Sequence, residues 1–116
     1  MTRPVGAYRP IVRAGDWLVV SGQVGIRDGR LVSGGFDDQL EQAVDNLEAL
    51  LTGEGSSLAQ VVKTTVLLRH MGDYDVLNEI WGRRFGAEPP ARAAFAVSEL
   101  PLGALVEVEA WAYTGP

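Results

Sequence analysis

The chain has 116 residues, no cysteine, 47% hydrophobic and 22% charged residues, and a formal net charge of -5. That size and composition fit one ordinary globular domain spanning residues 1–116, and the acidic balance leaves no basic face with which to displace counterions from nucleic acid. Disulfides and thiolate chemistry are excluded, the first residues MTRPVGAYRPIVRAGD lack the apolar centre of a signal peptide, and no run reaches the length of a membrane span, so a cytoplasmic, non-membrane protein is expected.

The first regular pattern is AGDWLVVSGQVGI, a strand that alternates Trp17, Val19, Ser21 and Gln23 on one face with Leu18, Val20, Gly22 and Val24 on the other. Asp28-Gly29 marks a tight turn into a second strand at Arg30 to Val32, and an additional short strand at the N-terminus is compatible with the pattern. From Phe36 the period changes. Leu40, Ala43, Val44, Leu47, Leu50 and Leu51 recur at helical steps, Asp38 and Glu41 resemble a capping pair, and Gly53 or Gly55 supplies the stop.

Ser57 to Gln60 reads as one helical turn, and VVKTTVLL, rich in β-branched residues, as a strand covered on at least one face. Asp73 can cap a second helix in which Tyr74, Leu77, Trp81 and Phe85 share a face, closed by Gly86 and Pro89-Pro90. Residues 88–111, EPPARAAFAVSELPLGALVEVEAW, read as a β-hairpin. The order predicts an α+β fold: one sheet with both helices packed on a single face.

That arrangement leaves the second face of the sheet to be explained. In the last strand Ala104, Val106, Val108, Ala110 and Ala112 suit packing under helices, whereas Leu105, Glu107, Glu109, Trp111 and Tyr113 mix apolar and acidic groups. Water suits the glutamates and not Trp111; a dry core suits Trp111 and not the glutamates. A subunit interface containing polar pockets reconciles the two.

Arg92, at the start of the hairpin, then has two readings. It can pair with Glu107 or Glu109 across the strands, or it can receive an anion, because the planar guanidinium holds a carboxylate through parallel hydrogen bonds. His70 is the only histidine and no carboxylates join it at metal-ligand spacing.

The segments V-V-S-G-Q, V-V-K-T-T-V-L-L, P-A-R and V-E-V-E-A, in this order and at these separations, resemble the Rid family of reactive-intermediate deaminases, also called the YjgF or L-PSP family. The resemblance implies a chorismate-mutase-like fold and a homotrimer packed around a central β-barrel, with ligand sites between subunits. It further implies hydrolysis of enamine and imine acids such as 2-aminoacrylate, a family that includes 2-iminobutanoate and 2-iminopropanoate, to 2-keto acids and ammonia, without metal or organic cofactor.

On the same resemblance, Arg92 of P-A-R grips the substrate carboxylate and Glu107 holds or activates the attacking water. Tyr8 and Ser21 line the pocket, and Asn78 supports it. The chain departs from the family pattern at Ala7, at Gly25 (proline is common there) and at Ala93-Ala94, which bears on substrate preference. The alternative function is a non-catalytic trimeric sensor of carboxylate ligands or an interaction module on the same fold; the acidic charge and lone histidine suit a ribonuclease poorly.

Overall fold

The computed structural model describes residues 6–116. Residues 1–5 of the expected domain, and with them the beginning of the stretch read for a leader, lie outside the described residues. The elements in chain order are β1 (Ile11–Ala14), β2 (Trp17–Gln23), β3 (Ile26–Arg27), β4 (Arg30–Leu31), α1 (Phe36–Gly53), β5 (Val61–Leu68), α2 (Tyr74–Phe85), β6 (Ala91–Ala96) and β7 (Val106–Tyr113). A five-stranded sheet runs β1-β2-β7-β5-β6, and β3 and β4 form a separate two-stranded ribbon. The architecture is the expected α+β one, except that the strand expected at Arg30 to Val32 lies in the ribbon and not in the main sheet.

The helical stripe of α1 is buried throughout: Leu40, Ala43, Val44, Leu47 and Leu51 are fully enclosed and Leu50 nearly so. Each fully buried leucine stabilises by about 1.5–3 kcal/mol relative to exposure, and the stripe packs on Leu18 and Val20 of β2, Val66 and Leu68 of β5, and the even positions of β7. The expected Asp38/Glu41 capping pair does not form. The helix begins one turn earlier, at Phe36 with Gly35 as an uncapped N-cap, so Asp37 and Asp38 sit in its first turn, where negative charge suits the helix dipole. Glu41 instead accepts from Arg84 at 2.7 Å and Arg83 at 3.0 Å, tying α1 to α2.

Asp73 is the N-cap residue of α2, though its side chain makes no capping bond, and Gly86 ends the helix in the left-handed region at φ 74°. The turn at Asp28-Gly29 forms, but the strand expected to run on from Trp17 ends at Gln23, so the turn joins the short β3 to β4 and Arg30–Leu31 pairs outside the main sheet.

The final hairpin is a correction. β5 lies between β6 and β7, parallel to the first and antiparallel to the second. The parallel pairing is made possible by α2, which carries the chain back across the sheet before β6 begins. Leu102, with φ 60°, and Gly103, with φ 72°, turn the chain between β6 and β7, which looks locally like a hairpin turn but spans a strand.

A second correction concerns β2. Its register with β7 shifts by one residue, from Val20↔Ala110 to Gln23↔Val108. Residues paired across antiparallel strands point to the same face, so Gln23 joins the helix side with Val108, and Gly22 moves to the open face beside Ser21.

Candidate active site

Arg92 is the second residue of β6, an edge strand, and pairs in register with Thr64, whose side chain is fully buried on the helix side. Its guanidinium therefore rises toward α2. Nη2 donates to Asn78 Oδ1 at 2.7 Å and to Tyr74 Oη at 3.2 Å. Both acceptors are neutral. Among the described residues Arg92 has no ion-pair partner, and the half-buried side chain keeps Nε and Nη1 for other acceptors. A cation fixed by neutral groups, with donors to spare, can receive an anion.

Glu107 stands on the other face. It pairs with Leu67 on β5, while its neighbours Val106 and Val108 are buried under the helices. The carboxylate lies against the α-carbon of Gly22: a Cβ placed there would come 2.7 Å from Glu107 Cδ. Burial first, and then the charge of Glu109 farther along the same strand face, push the Glu107 carboxyl above its ordinary value.

Ser21 precedes this glycine. Its backbone N–H donates to Pro10 O at 2.9 Å and its hydroxyl to Arg9 O at 2.6 Å. These bonds lay the segment before β1 alongside β2 and bring the exposed Tyr8 to the same end of that strand.

The candidate residues thus divide into two groups. Arg92 and Asn78 are joined by a hydrogen bond; Glu107 lies against Gly22, next to Ser21, and the Tyr8 backbone leads into the segment that Ser21 holds. The cross-strand ion pair of Arg92 with Glu107 or Glu109 does not exist, because β5 separates the strands and the side chains leave opposite faces. Two strand spacings alone amount to ~9.6 Å.

The sequence reading missed two contributors. Tyr74 and Trp81 share the expected face of α2, and their rings lie under the guanidinium, with Cζ 5.4 Å and 5.7 Å from the ring centroids. Their spacing from Asn78 along α2 was the available signal.

One of the departures, Gly25, has a physical reason. Gly25 is buried with no space for a side chain: a Cβ would lie 2.6 Å from Gln39 O and 2.8 Å from Gln39 Cα. At that point α1 touches the chain directly, and Gln39 Oε1 accepts from the Leu105 N–H at 2.8 Å. Ala93 and Ala94 are half-buried on the two faces of β6, and Ala7 is exposed.

The fold and these residues define an α+β protein with a sheet covered by helices on one side and a split arginine–glutamate pair. The sequence profile of the family described as Endoribonuclease L-PSP matches residues 1–114, and the chain belongs to that family, the Rid family of the sequence motifs.

A RutC family protein of Pyrococcus horikoshii is 41% identical over 113 residues, covering 96% of this chain and 90% of that protein. The mouse protein named 2-iminobutanoate/2-iminopropanoate deaminase is 43% identical over 114 residues, covering 97% of this chain and 84% of its own. Among solved structures, RidA from the Antarctic bacterium Psychrobacter sp. matches with a TM-score of 0.93 and 38% identity, over 96% of this chain and 91% of that one.

Proposed function

We propose that this chain is an enamine/imine deaminase that hydrolyses short-lived imino acids of the 2-aminoacrylate type to 2-keto acids and ammonia, in sites completed between the subunits of a homotrimer. The observation that carries the reading is the Arg92 guanidinium, held by Asn78 and Tyr74 and with no ion-pair partner among the described residues. The names of relatives at about 40% identity support it.

The chemistry needs few groups. Arg92 anchors the carboxylate, and the imine carbon, electrophilic once its nitrogen is protonated, faces a single water. Glu107, ionised, takes a proton from that water as the C–O bond forms. That proton passes to nitrogen; Glu107, ionised again, takes the hydroxyl proton as the C–N bond breaks, the C=O bond forms and ammonia leaves the keto acid. Tyr8, Ser21 and Asn78 bind and orient the substrate.

Subunit contact is supported by the open sheet face, where Trp17, Trp111, Tyr113 and Phe95 are exposed and Trp17 packs edge-on against Trp111 at 6.0 Å. Apolar groups in such number on a small domain mark an association surface. The enzyme acts in the cytoplasm on small imino acids; no described helix is long and apolar enough to cross a membrane.

The test is release of ammonia and keto acid from imines freshly generated by an amino-acid oxidase, across a panel of side chains. Turnover above the spontaneous rate in the parent, lost in Arg92→Ala, is the expected result. A parent that binds keto acids but leaves imine hydrolysis at the spontaneous rate would instead be a ligand sensor.

A further inference from the structure

Tyr74, Asn78 and Trp81 follow one another at steps of four and three along α2, so they rise from one face of the helix. That face supports Arg92 from below. Both rings lie within cation–π range of the guanidinium, and the Tyr74 hydroxyl and Asn78 carbonyl accept from the same nitrogen.

The tryptophan has a cost to the fold. Trp81 is 4% exposed and its indole Nε1 is buried with no hydrogen-bond partner among the described residues. A buried N–H left unpaired works against folding. Phenylalanine would fill much of the same space against Phe85, whose ring centroid is 4.7 Å away, with no such liability. The extra packing of the larger ring and the cost of its unpaired N–H therefore roughly cancel, and the two together do not select tryptophan over phenylalanine. What tryptophan adds is a larger π-face under a cation, and indole is the ring that attracts cations best.

We infer that Tyr74 and Trp81 are positioning residues for the anion site, fixing the plane of the Arg92 guanidinium so that its remaining donors meet a substrate carboxylate already ordered. Arginine has a long flexible stem, and a fork held in place before the ligand arrives spares binding the entropy of fixing it. The inference rests on Arg92 being the carboxylate anchor. It adds that affinity depends on two aromatic side chains acting through Arg92.

Calorimetric titration with 2-oxobutanoate tests this in the parent, Trp81→Phe, Tyr74→Phe and Arg92→Ala, each held well below its melting temperature. Trp81→Phe should weaken binding roughly three- to thirty-fold and raise KM correspondingly while kcat stays near the parent value. Its melting temperature should stay close to the parent's, since the lost packing and the relieved N–H offset one another. Tyr74→Phe keeps the ring and loses the hydroxyl, and should weaken binding roughly three- to ten-fold.

A purely structural role predicts the reverse, a lower melting temperature with parent-like affinity. Parent-like affinity in both ring variants, with binding lost in Arg92→Ala, overturns the inference and leaves the anchor standing. Parent-like affinity in Arg92→Ala removes the anchor and the inference together. Should Trp81→Phe fail to fold, Tyr74→Phe decides, because Tyr74 is 36% exposed and outside the core; unchanged affinity there overturns the inference.

Discussion

Arg92 and Glu107 leave opposite faces of one sheet, with β5 between the strands that carry them. No side-chain rotation within a single chain brings these two groups onto one small imino acid. If both serve one reaction, the arginine of one copy must meet the glutamate of another. Arg92→Ala and Glu107→Gln should each be nearly inactive alone. Unfolded together in equal amounts and reassembled, they should recover about one quarter of parent activity, because random assembly makes one contact in four fully parental. Recovery no greater than the average of the two single variants would show that Arg92 and Glu107 do not meet in one site between copies.

Glu107→Gln should bind 2-oxobutanoate like the parent and turn over imines ~100- to 10,000-fold more slowly, the usual contribution of a positioned acid–base group. The raised proton affinity of Glu107 sets the sign of two pH effects. As a base it works ionised, so parent activity should fall as pH drops through its raised value. Because the folded protein holds this proton more tightly than the unfolded chain, Glu107 lowers stability as pH rises through the same window. The glutamine variant should therefore melt higher than the parent at neutral pH, measured by thermal unfolding. A variant that melts lower would assign the carboxylate a supporting role in the sheet.

Trp111→Glu should shift the protein toward monomer in sedimentation equilibrium at micromolar concentration. Trp111 is 45% exposed on the open face, cross-strand from Val19 and Lys63, so the change costs the folded chain little while placing charge in the proposed contact. Activity should fall with the loss of assembly and return at high protein concentration. A parent that is itself monomeric would refute the shared site.

The link between α1 and α2 predicts an acid-sensitive stability. Hydrogen bonding from Arg84 first, with Arg83 adding to it, outweighs burial and holds Glu41 below its ordinary value. For Arg84, burial opposes the charge, but the bonds to Glu41 and Asp45 more than offset it and raise its value. The stabilisation from ionised Glu41 is complete above the ordinary carboxylate range and is lost as pH falls through the lowered value. Glu41 is only partly shielded from water, with a side chain 34% exposed, so the contribution is roughly 0.5–1 kcal/mol. Glu41→Gln should melt a few degrees lower than the parent at neutral pH, with the difference closing in acid. A constant difference across pH would assign the loss to packing.

What the sequence revealed depended on how local each signal was. The stripe of α1 requires only a period, and all its residues are buried where that period put them. The pairing of β6 and β7 was misread because Pro101 and Gly103 mark a turn without marking which strands it joins. The corrective signal lay elsewhere, in Val61–Leu68, whose apolar residues on both faces suit a central strand with two neighbours.

In β2 a register shift moved Gln23 to the helix side, and Gly22 was the residue that hinted at it. Arg92 and Asn78 were connected through motif likeness alone; their 2.7 Å hydrogen bond is a product of the crossover that α2 makes between β5 and β6. Tyr74 and Trp81 were obscured by their own hydrophobicity, since a ring beneath a cation and a ring in a core have the same periodicity.

Gly22 has no functional group, yet it determines how much water reaches the carboxylate across from it. Glu107 lies flat on β2 because no methyl group stands in the way. An alanine there would meet the flexible end of that side chain and swing it outward, and fuller hydration would return its proton affinity toward the ordinary value. The acidity of one strand is in this way tuned from its neighbour by an absence of atoms. An alanine at position 22, though it neither gives nor takes a proton, is therefore expected to shift the pH dependence that Glu107 imparts.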